Sequence, residues 1–204
     1  MTVWGALARA ARSVRADHDM LRHYDRKYAS DAQRGGSLAR DLVQRAGFQM
    51  MVGYRAMRLF SELGVPLAPQ IVARSVRFLY GADIHWNAEL ADGVVIVHGM
   101  GIAISPRAKI GAGCVLSQNV TLGEGRDAAS GRTGGPTLGE RVHVGPGAAL
   151  LGPIHIGADT KIMACCVLRE GVGDGSLVEA PAPRIRARTS ASTLAAQPLG
   201  GGAR

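Results

Sequence analysis

The chain is poor in aromatic residues, and those it has are confined to its first part. It contains 3 Phe, 2 Trp and 4 Tyr in 204 residues, and all but Trp86 precede residue 82. A core in residues 82–204 must therefore be filled by aliphatic and small side chains. This composition favours a narrow structure over one built around packed rings.

Cysteine is also scarce. The three cysteines are Cys114, Cys165 and Cys166, and the last two are adjacent. This spacing provides neither a disulfide framework nor a set of zinc ligands. We therefore expect small core side chains at Cys114 and Cys166, and no bound metal.

Long apolar runs are absent as well. No segment approaches the roughly 18 consecutive apolar residues of a membrane span. Arg9, Arg12 and Arg15 interrupt the N-terminal segment, which lacks the apolar centre of a signal peptide. The expected compartment is the cytoplasm.

Acidic residues are outnumbered by basic ones. The 24 Lys and Arg against 16 Asp and Glu give a net charge of +8. The basic residues are dispersed and lack interleaved aromatics, which favours a solvated surface over a nucleic-acid site. A positive field also suits a polyanionic ligand, such as a nucleotide cofactor with several phosphates.

The sequence does contain a repeat of six residues. Its aliphatic positions are Ile84, Leu90, Ile96 and Ile102; after a two-residue slip, Ile110, Leu116 and Leu122; and, after a Gly-rich excursion at 123–137, Leu138, Val144, Leu150, Ile156, Ile162 and Leu168. The residue four places after most of them is small or apolar, as at Val94, Met100 and Cys114. A period of six fits neither an amphipathic helix nor an alternating strand. It is typical of a parallel β-helix, in which each hexad forms one short strand and one corner.

The pattern predicts an α+β chain in three parts. Residues 1–81 are an N-terminal helical domain, and residues 82–180 are a β-helix with one long excursion loop. Residues 181–204 are a flexible tail with too little apolar content to pack. Because His143 and His155 lie two hexads apart, we expect them on different faces, which argues against a three-His metal site within one chain.

Three short motifs carry a resemblance to a known family. Gly81-Ala82-Asp83-Ile84-His85, His98-Gly99-Met100-Gly101 and Val120-Thr121-Leu122-Gly123 follow a helical segment. Together they resemble the serine acetyltransferase family of hexapeptide-repeat acyltransferases, over about residues 20–186. The resemblance implies a left-handed β-helix, assembly as a homotrimer or a dimer of trimers, and acetyl-CoA as co-substrate.

The resemblance also implies which residues carry the chemistry. His98 matches the family's general base, which takes the proton of the acceptor hydroxyl. Asp83 matches the aspartate that hydrogen-bonds this imidazole and holds its tautomer. Histidine suits the first role because an alcohol is a poor nucleophile and needs a base that titrates near neutral pH.

Binding residues follow from the same resemblance. Gly123, Gly145 and Lys161 match positions that contact acetyl-CoA, and the charge of Lys161 suits a phosphate of that molecule. Asp31 is an approximate match, shifted by one residue, to an aspartate that contacts the acceptor. No residue matches a metal ligand.

The motifs depart from the serine-specific members at two places. Those members carry Asp where this chain has Val97, and an Arg-His pair where it has Gly134 and Gly135. With one retained His, the pattern is closer to members found in exopolysaccharide biosynthesis, to which acetylation of sugars or other alcohols is ascribed. The acceptor is therefore expected to differ from free serine.

The function that these observations favour is acetyl-CoA-dependent O-acetyl transfer to a hydroxyl of a small molecule or sugar. One alternative is a true serine O-acetyltransferase of cysteine biosynthesis. Another, from a different class, is a β-helix scaffold without catalytic activity. Nucleic-acid binding through the basic helices is a third, which the dispersed charge disfavours.

Overall fold

The computed structural model describes residues 2–28, 36–127 and 130–185, where four helices precede a coil of short strands. The helices are α1 (Val3–Tyr28), α2 (Leu38–Gln44), α3 (Ala46–Glu62) and α4 (Ala68–Tyr80). Most of the tail expected at 181–204 lies outside the described residues. None of the helices within the described ranges is both long and apolar enough to cross a membrane.

Local sequence explains where these helices begin and end. The hydroxyl of Ser37 accepts a hydrogen bond from the backbone N–H of Arg40 and caps α2. Pro69 lies in the first turn of α4, and Gly81 ends that helix with a left-handed φ of 62°. The helices α2 and α3 are separated at Arg45, whose backbone is extended.

The coil consists of strands of two or three residues. They are β1 (Asp83–Ile84), β2 (Glu89–Leu90), β3 (Val95–Val97), β4 (Ala103–Ile104), β5 (Lys109–Ile110), β6 (Val115–Ser117), β7 (Thr121–Gly123), β8 (Gly125–Arg126), β9 (Thr133–Gly134), β10 (Thr137–Leu138), β11 (His143–Val144), β12 (Ala149–Leu151), β13 (His155–Ile156), β14 (Lys161–Ile162), β15 (Val167–Leu168) and β16 (Leu177–Val178). Strands β8 and β9 form an antiparallel hairpin within the excursion.

The remaining strands stack into three parallel sheets. We call them face A (β1-β4-β7-β12-β15), face B (β2-β5-β10-β13) and face C (β3-β6-β11-β14-β16). Successive hexads visit the three faces in turn, and their aliphatic residues fill a continuous interior. The predicted N-terminal helices followed by a parallel β-helix are confirmed.

The predicted register is wrong at one turn of the coil. Ile84 pairs with Ile104, 20 residues further on, whereas Ile104 pairs with Leu122, 18 residues further on. The two extra residues therefore lie between Ile96 and Ile104, rather than after Ile102. As a consequence Met100, which the hexad pattern groups with core positions, is 68% exposed. Gly99 and Gly101 allow this longer corner because both adopt a positive φ.

Helix α1 lies against the outer side of face C. Leu21 of α1 is buried with Phe48 of α3 and with Val95 and Val115, which project outward from β3 and β6. Apolar residues at these outward positions mean that the first two strands of face C are covered by helices. This packing positions the N-terminal helices over one end of the coil.

A buried ion pair connects these helices to the first coil. The guanidinium of Arg55 donates two hydrogen bonds of 2.9 Å to the Asp17 carboxylate, and also donates to the backbone carbonyls of Leu90 and Ala91. Asp17 in turn accepts from the N–H of Gly93. The pKa of Asp17 is raised, because desolvation by burial outweighs the contacts with Arg55 and Gly93. These contacts stabilise the two buried charges, so the loss of a partner would leave a charge buried with too little compensation.

We expect Arg55→Met to destabilise the fold strongly, because it leaves the Asp17 carboxylate buried without its cation. Breaking a buried pair in this way costs about 3–5 kcal/mol. Chemical denaturation would measure the change in the free energy of unfolding. Lys109→Gln, which removes an exposed pair with Glu89, is the matched control and should cost less than about 1 kcal/mol. Equal effects of the two substitutions would contradict this role for Arg55.

A second prediction concerns the contact between α3 and β3. A Cβ added at Gly47 would overlap the backbone carbonyl of Ile96, so α3 could no longer approach the strand. Overpacking of this kind costs about 1–3 kcal/mol. Gly47→Ala should therefore lower the melting temperature. Gly173→Ala, at a site with no atom within 4 Å of the added Cβ, should leave it nearly unchanged.

Candidate functional site

The longer corner of the coil carries His98. It follows β3, and His98, Gly99 and Gly101 all have φ between 65° and 72°. The backbone N–H of Met100 donates to the His98 carbonyl, and that of Gly101 donates to the carbonyl of Gly81 at the end of α4. This conformation directs the imidazole away from the coil, where it is exposed and has no hydrogen bond or ion pair with any described residue.

His98 borders a cavity of about 400 Å³ between β3 and the helices. The end of α1 contributes Tyr24 and Tyr28, and the start of α3 contributes Gly47 and Phe48. Gly47, which lines the cavity, lies close against Ile96 of β3. Burial raises the pKa of Tyr24, so its hydroxyl remains a protonated hydrogen-bond donor near neutral pH.

Charged groups form one wall of this cavity. The nearly fully buried Asp25 accepts hydrogen bonds from Arg22 at 3.1 Å and from Arg45. Arg22 also donates to Asp41, and the Nε2 of His18 lies 2.9 Å from an Asp41 oxygen. The network joins α1, α2 and α3. Arg45 and Asp25 line the cavity while neutralising one another, so they present a polar wall without a net charge.

Asp83 does not hydrogen-bond His98 within one chain. It forms an ion pair with Arg77 of α4, and it lines a separate cavity of about 210 Å³ with Gly123 and His85. Burial lowers the pKa of His85, whose Nδ1 accepts the N–H of Asn87 at 3.0 Å. The dyad of Asp83 and His98 therefore remains a prediction.

Gly145 and Lys161 lie on face C, as does the strand that leads to His98. Lys161 pairs in register with His143, and Gly145 follows β11. A Cβ at Gly145 would lie 2.8 Å from backbone atoms of the next coil, so close stacking already requires glycine there. Gly123 lies on face A instead. The structure thus separates the predicted site residues into two groups on two faces.

Close packing also explains the glycine at residue 135, near the end of the excursion. Gly135 lies where a Cβ would be 2.8 Å from the carbonyl carbon of Arg107 and 2.9 Å from the N of Ala108. The hairpin β8–β9 that precedes it borders a cavity of about 750 Å³ with Arg126, Arg169 and Glu124. In this conformation no larger side chain fits at residue 135.

Sequence reasoning missed the residues that α1 and α3 bring to His98. Tyr24 and Tyr28 are four residues apart and share one helix face, and Arg45 interrupts the helical pattern between Leu38 and Met57. These signals indicate a shared surface but not which part of the coil it faces. Asp31 lies outside the described residues. Within the described ranges, no group of three or more His, Cys, Asp and Glu residues could hold a metal ion.

Comparisons with known proteins identify the family. No family model matches the chain. It is 35% identical to the serine acetyltransferase of Helicobacter pylori over 135 residues, which cover 66% of this chain and 78% of that protein. It is 39% identical to the serine acetyltransferase of Synechococcus elongatus and 36% identical to that of Mycobacterium tuberculosis, and it spans 55% and 57% of their lengths. The chain thus spans about half the length of these two longer relatives.

Solved structures agree with the sequence comparison. Entamoeba histolytica serine acetyltransferase 1, in complex with L-cysteine, aligns with 87% of this chain and 66% of its own at 27% identity and a TM-score of 0.72. Neisseria gonorrhoeae serine acetyltransferase, in complex with serine, aligns with 89% of this chain and 71% of its own at 25% identity and a TM-score of 0.73. From its hexapeptide coil, its corner motifs and these relatives, the chain belongs to the serine acetyltransferase family.

Proposed function

We propose that this protein is an acetyl-CoA-dependent O-acetyltransferase in which His98 is the general base. The observation that carries the proposal is the exposed imidazole of His98 beside a cavity of about 400 Å³. Because no described residue bonds this imidazole, its ring is available to an acceptor. Three of the four residues from His98 to Gly101 adopt a positive φ, and this corner leaves the imidazole exposed.

The proposed reaction needs one proton acceptor. A ring nitrogen of His98 takes the proton of the acceptor hydroxyl as its oxygen bonds to the carbonyl carbon of the acetyl thioester. The carbon–sulfur bond breaks, and the imidazolium returns the proton to the departing thiolate of CoA. General-base catalysis of this kind contributes about 10²–10⁴-fold.

The co-substrate contacts proposed for this chain are Gly123, Gly145 and Lys161. Gly123 is half-buried, Gly145 is buried against the next coil, and Lys161 supplies an exposed ammonium for a phosphate. Gly123 is on face A and the other two are on face C. We propose that these residues, and likewise Asp83 and His98, meet across the boundary between neighbouring subunits of a trimer or a dimer of trimers.

The acceptor is proposed to be a hydroxylated molecule larger than serine. Val97 offers no charge beside His98, and packing against Arg107 excludes a side chain at Gly135. The cavity wall formed by Asp25 and Arg45 is internally neutralised, so a small zwitterion gains little from it. L-serine is the second candidate, because the relatives at 35–39% identity are named serine acetyltransferases.

His98→Ala tests the mechanism. We expect kcat to fall by about 10²–10⁴-fold with little change in acetyl-CoA affinity, because the proposed co-substrate contacts do not involve the imidazole. Asp83→Asn should lose a smaller factor, since the imidazole stays in place while its tautomer is no longer enforced. Thiol release from acetyl-CoA with a panel of alcohols measures both effects. Full activity of His98→Ala would rule out this base, and no transfer by the parent protein would favour the scaffold alternative.

Acceptor choice is tested by steady-state kinetics with L-serine and with larger alcohols such as glycosides. Each missing charge-assisted hydrogen bond is worth about 1.5–3 kcal/mol, so the loss of two should weaken serine at least tenfold relative to a full-motif member of the family. We expect poor turnover of serine and better turnover of a larger acceptor. Saturable use of serine at sub-millimolar concentration would establish the second candidate instead.

A further inference from the structure

His85, which ends the first corner motif, has no role in the reaction as described so far. Its ring stacks on the indole of Trp86, with ring centroids 4.1 Å apart and an interplanar angle of 25°. Its Nδ1 accepts a hydrogen bond of 3.0 Å from the backbone N–H of Asn87. These two contacts fix the orientation of the ring. Because Nδ1 is an acceptor, the proton of the neutral imidazole is on Nε2.

The register of the coil places His85 in line with two other residues of the same face. His85 follows β1, Ser105 follows β4 and Gly123 ends β7, and the pairing of these strands stacks the three residues on successive coils. Neighbouring strands are about 4.8 Å apart. All three residues border the cavity of about 210 Å³ that Asp83 also lines. A group bound at Gly123 therefore shares its cavity with the imidazole and with the serine side chain.

The hydroxyl of Ser105 is a second polar group at this cavity. Its Oγ is buried and forms no hydrogen bond with any residue that the structure describes. Buried polar atoms without a partner are rare in folded proteins, and a role in catalysis is one explanation for them. A serine side chain has three staggered positions. Because Ser105 borders the cavity, rotation about χ1 can bring its hydroxyl to a group bound there.

The surroundings of His85 keep its imidazole neutral. Burial lowers the pKa of His85 and outweighs the opposing effects of Asp83 and Glu124. Both carboxylates are themselves paired, Asp83 with Arg77 and Glu124 with Arg107 at 3.8 Å. Protonation would also place a second proton on the nitrogen that now accepts a backbone N–H. Near neutral pH the ring is therefore an uncharged hydrogen-bond donor.

Acetyl transfer requires such a donor at one particular atom. As the acceptor oxygen bonds to the thioester carbon, negative charge develops on the carbonyl oxygen. Hydrogen-bond donors that are already fixed around this oxygen stabilise the transition state more than they stabilise the bound substrate. A neutral donor suits this role, because it stabilises the oxyanion without giving up its proton.

We propose that His85 is a further catalytic residue, whose Nε2–H donates to the carbonyl oxygen of the thioester bound at Gly123, with the Ser105 hydroxyl as a second donor. No proton is transferred to or from either group, and His98 remains the base. All three residues belong to one face of one subunit, so this half of the shared site is preformed within a single chain. The inference rests on the proposed function, which supplies the thioester.

Two substitutions of His85 separate this role from a structural one. His85→Gln keeps an N–H donor near the position of Nε2 and removes the acceptor, whereas His85→Asn keeps an acceptor near the position of Nδ1 and removes the donor. We expect His85→Asn to lower kcat about 10²–10³-fold with little change in the KM for acetyl-CoA, and His85→Gln to recover at least about tenfold of that loss. If the ring serves only to hold the turn at Asn87, the order of the two variants reverses, and that order would overturn the proposal.

Ser105→Ala and His155→Asn complete the kinetic series. Ser105→Ala removes a neutral donor and should lower kcat about three- to tenfold. His155 is an exposed histidine of β13 on another face of the coil, so His155→Asn is the matched control and should leave kcat unchanged. An equal loss in His155→Asn and His85→Asn would reject a specific role for His85.

Nitrogen-15 NMR of the His85 ring tests the donor without requiring turnover. At pH 7 the ring should be neutral with its proton on Nε2. A ketone analogue of acetyl-CoA, in which a methylene group replaces the sulfur, should shift the Nε2–H resonance downfield. A proton on Nδ1, a charged ring, or an unchanged resonance with the analogue bound would each reject the proposal.

The two measurements also separate this inference from the proposed function. If the parent protein transfers no acetyl group but the Nε2–H resonance shifts with the analogue, the contact of His85 stands and the proposed function fails. If His98→Ala loses activity while His85→Asn keeps it, the proposed function stands and the role of His85 is rejected.

Discussion

The ion pair between Arg55 and Asp17 is the interaction on which the arrangement of this protein depends. A β-helix has an open first coil, whose backbone carbonyls and amides lack a preceding coil to bond. Arg55 satisfies the carbonyls of Leu90 and Ala91, while Asp17 accepts from the N–H of Gly93. Tyr54 contributes similarly, since its hydroxyl donates to Ala88 and accepts from the N–H of Leu90. The helices thereby complete the first coil and are held in one orientation on it.

That orientation decides which surfaces meet at the corner that carries His98. Because α3 is held against β3 at Gly47, and α1 lies along face C, the end of α1 reaches the corner that carries His98. The same helix end places Lys27 and Tyr28 beside His143.

The three-sided shape of the coil explains why the predicted site residues fall into two groups on two faces. In a three-sided coil the outward side chains of different faces point in different directions, and Gly123 lies on face A while Lys161 lies on face C. Asp83 illustrates the consequence, because within one chain its carboxylate pairs with Arg77. The proposed shared site requires face A of one subunit to meet face C of another.

The sequence alone determined the repeat, the parallel β-helix and most of its core positions, because a period of six leaves a direct mark on side-chain type. It also singled out His98 as the candidate general base, through a motif that resembles the family. The tertiary structure decided the register at that corner, since a two-residue slip between Ile96 and Ile104 leaves Ile102 buried in either register. Only the tertiary structure could show that Tyr24, Tyr28 and Arg45 face His98, because helical periodicity says which residues share a face but not which surface that face meets.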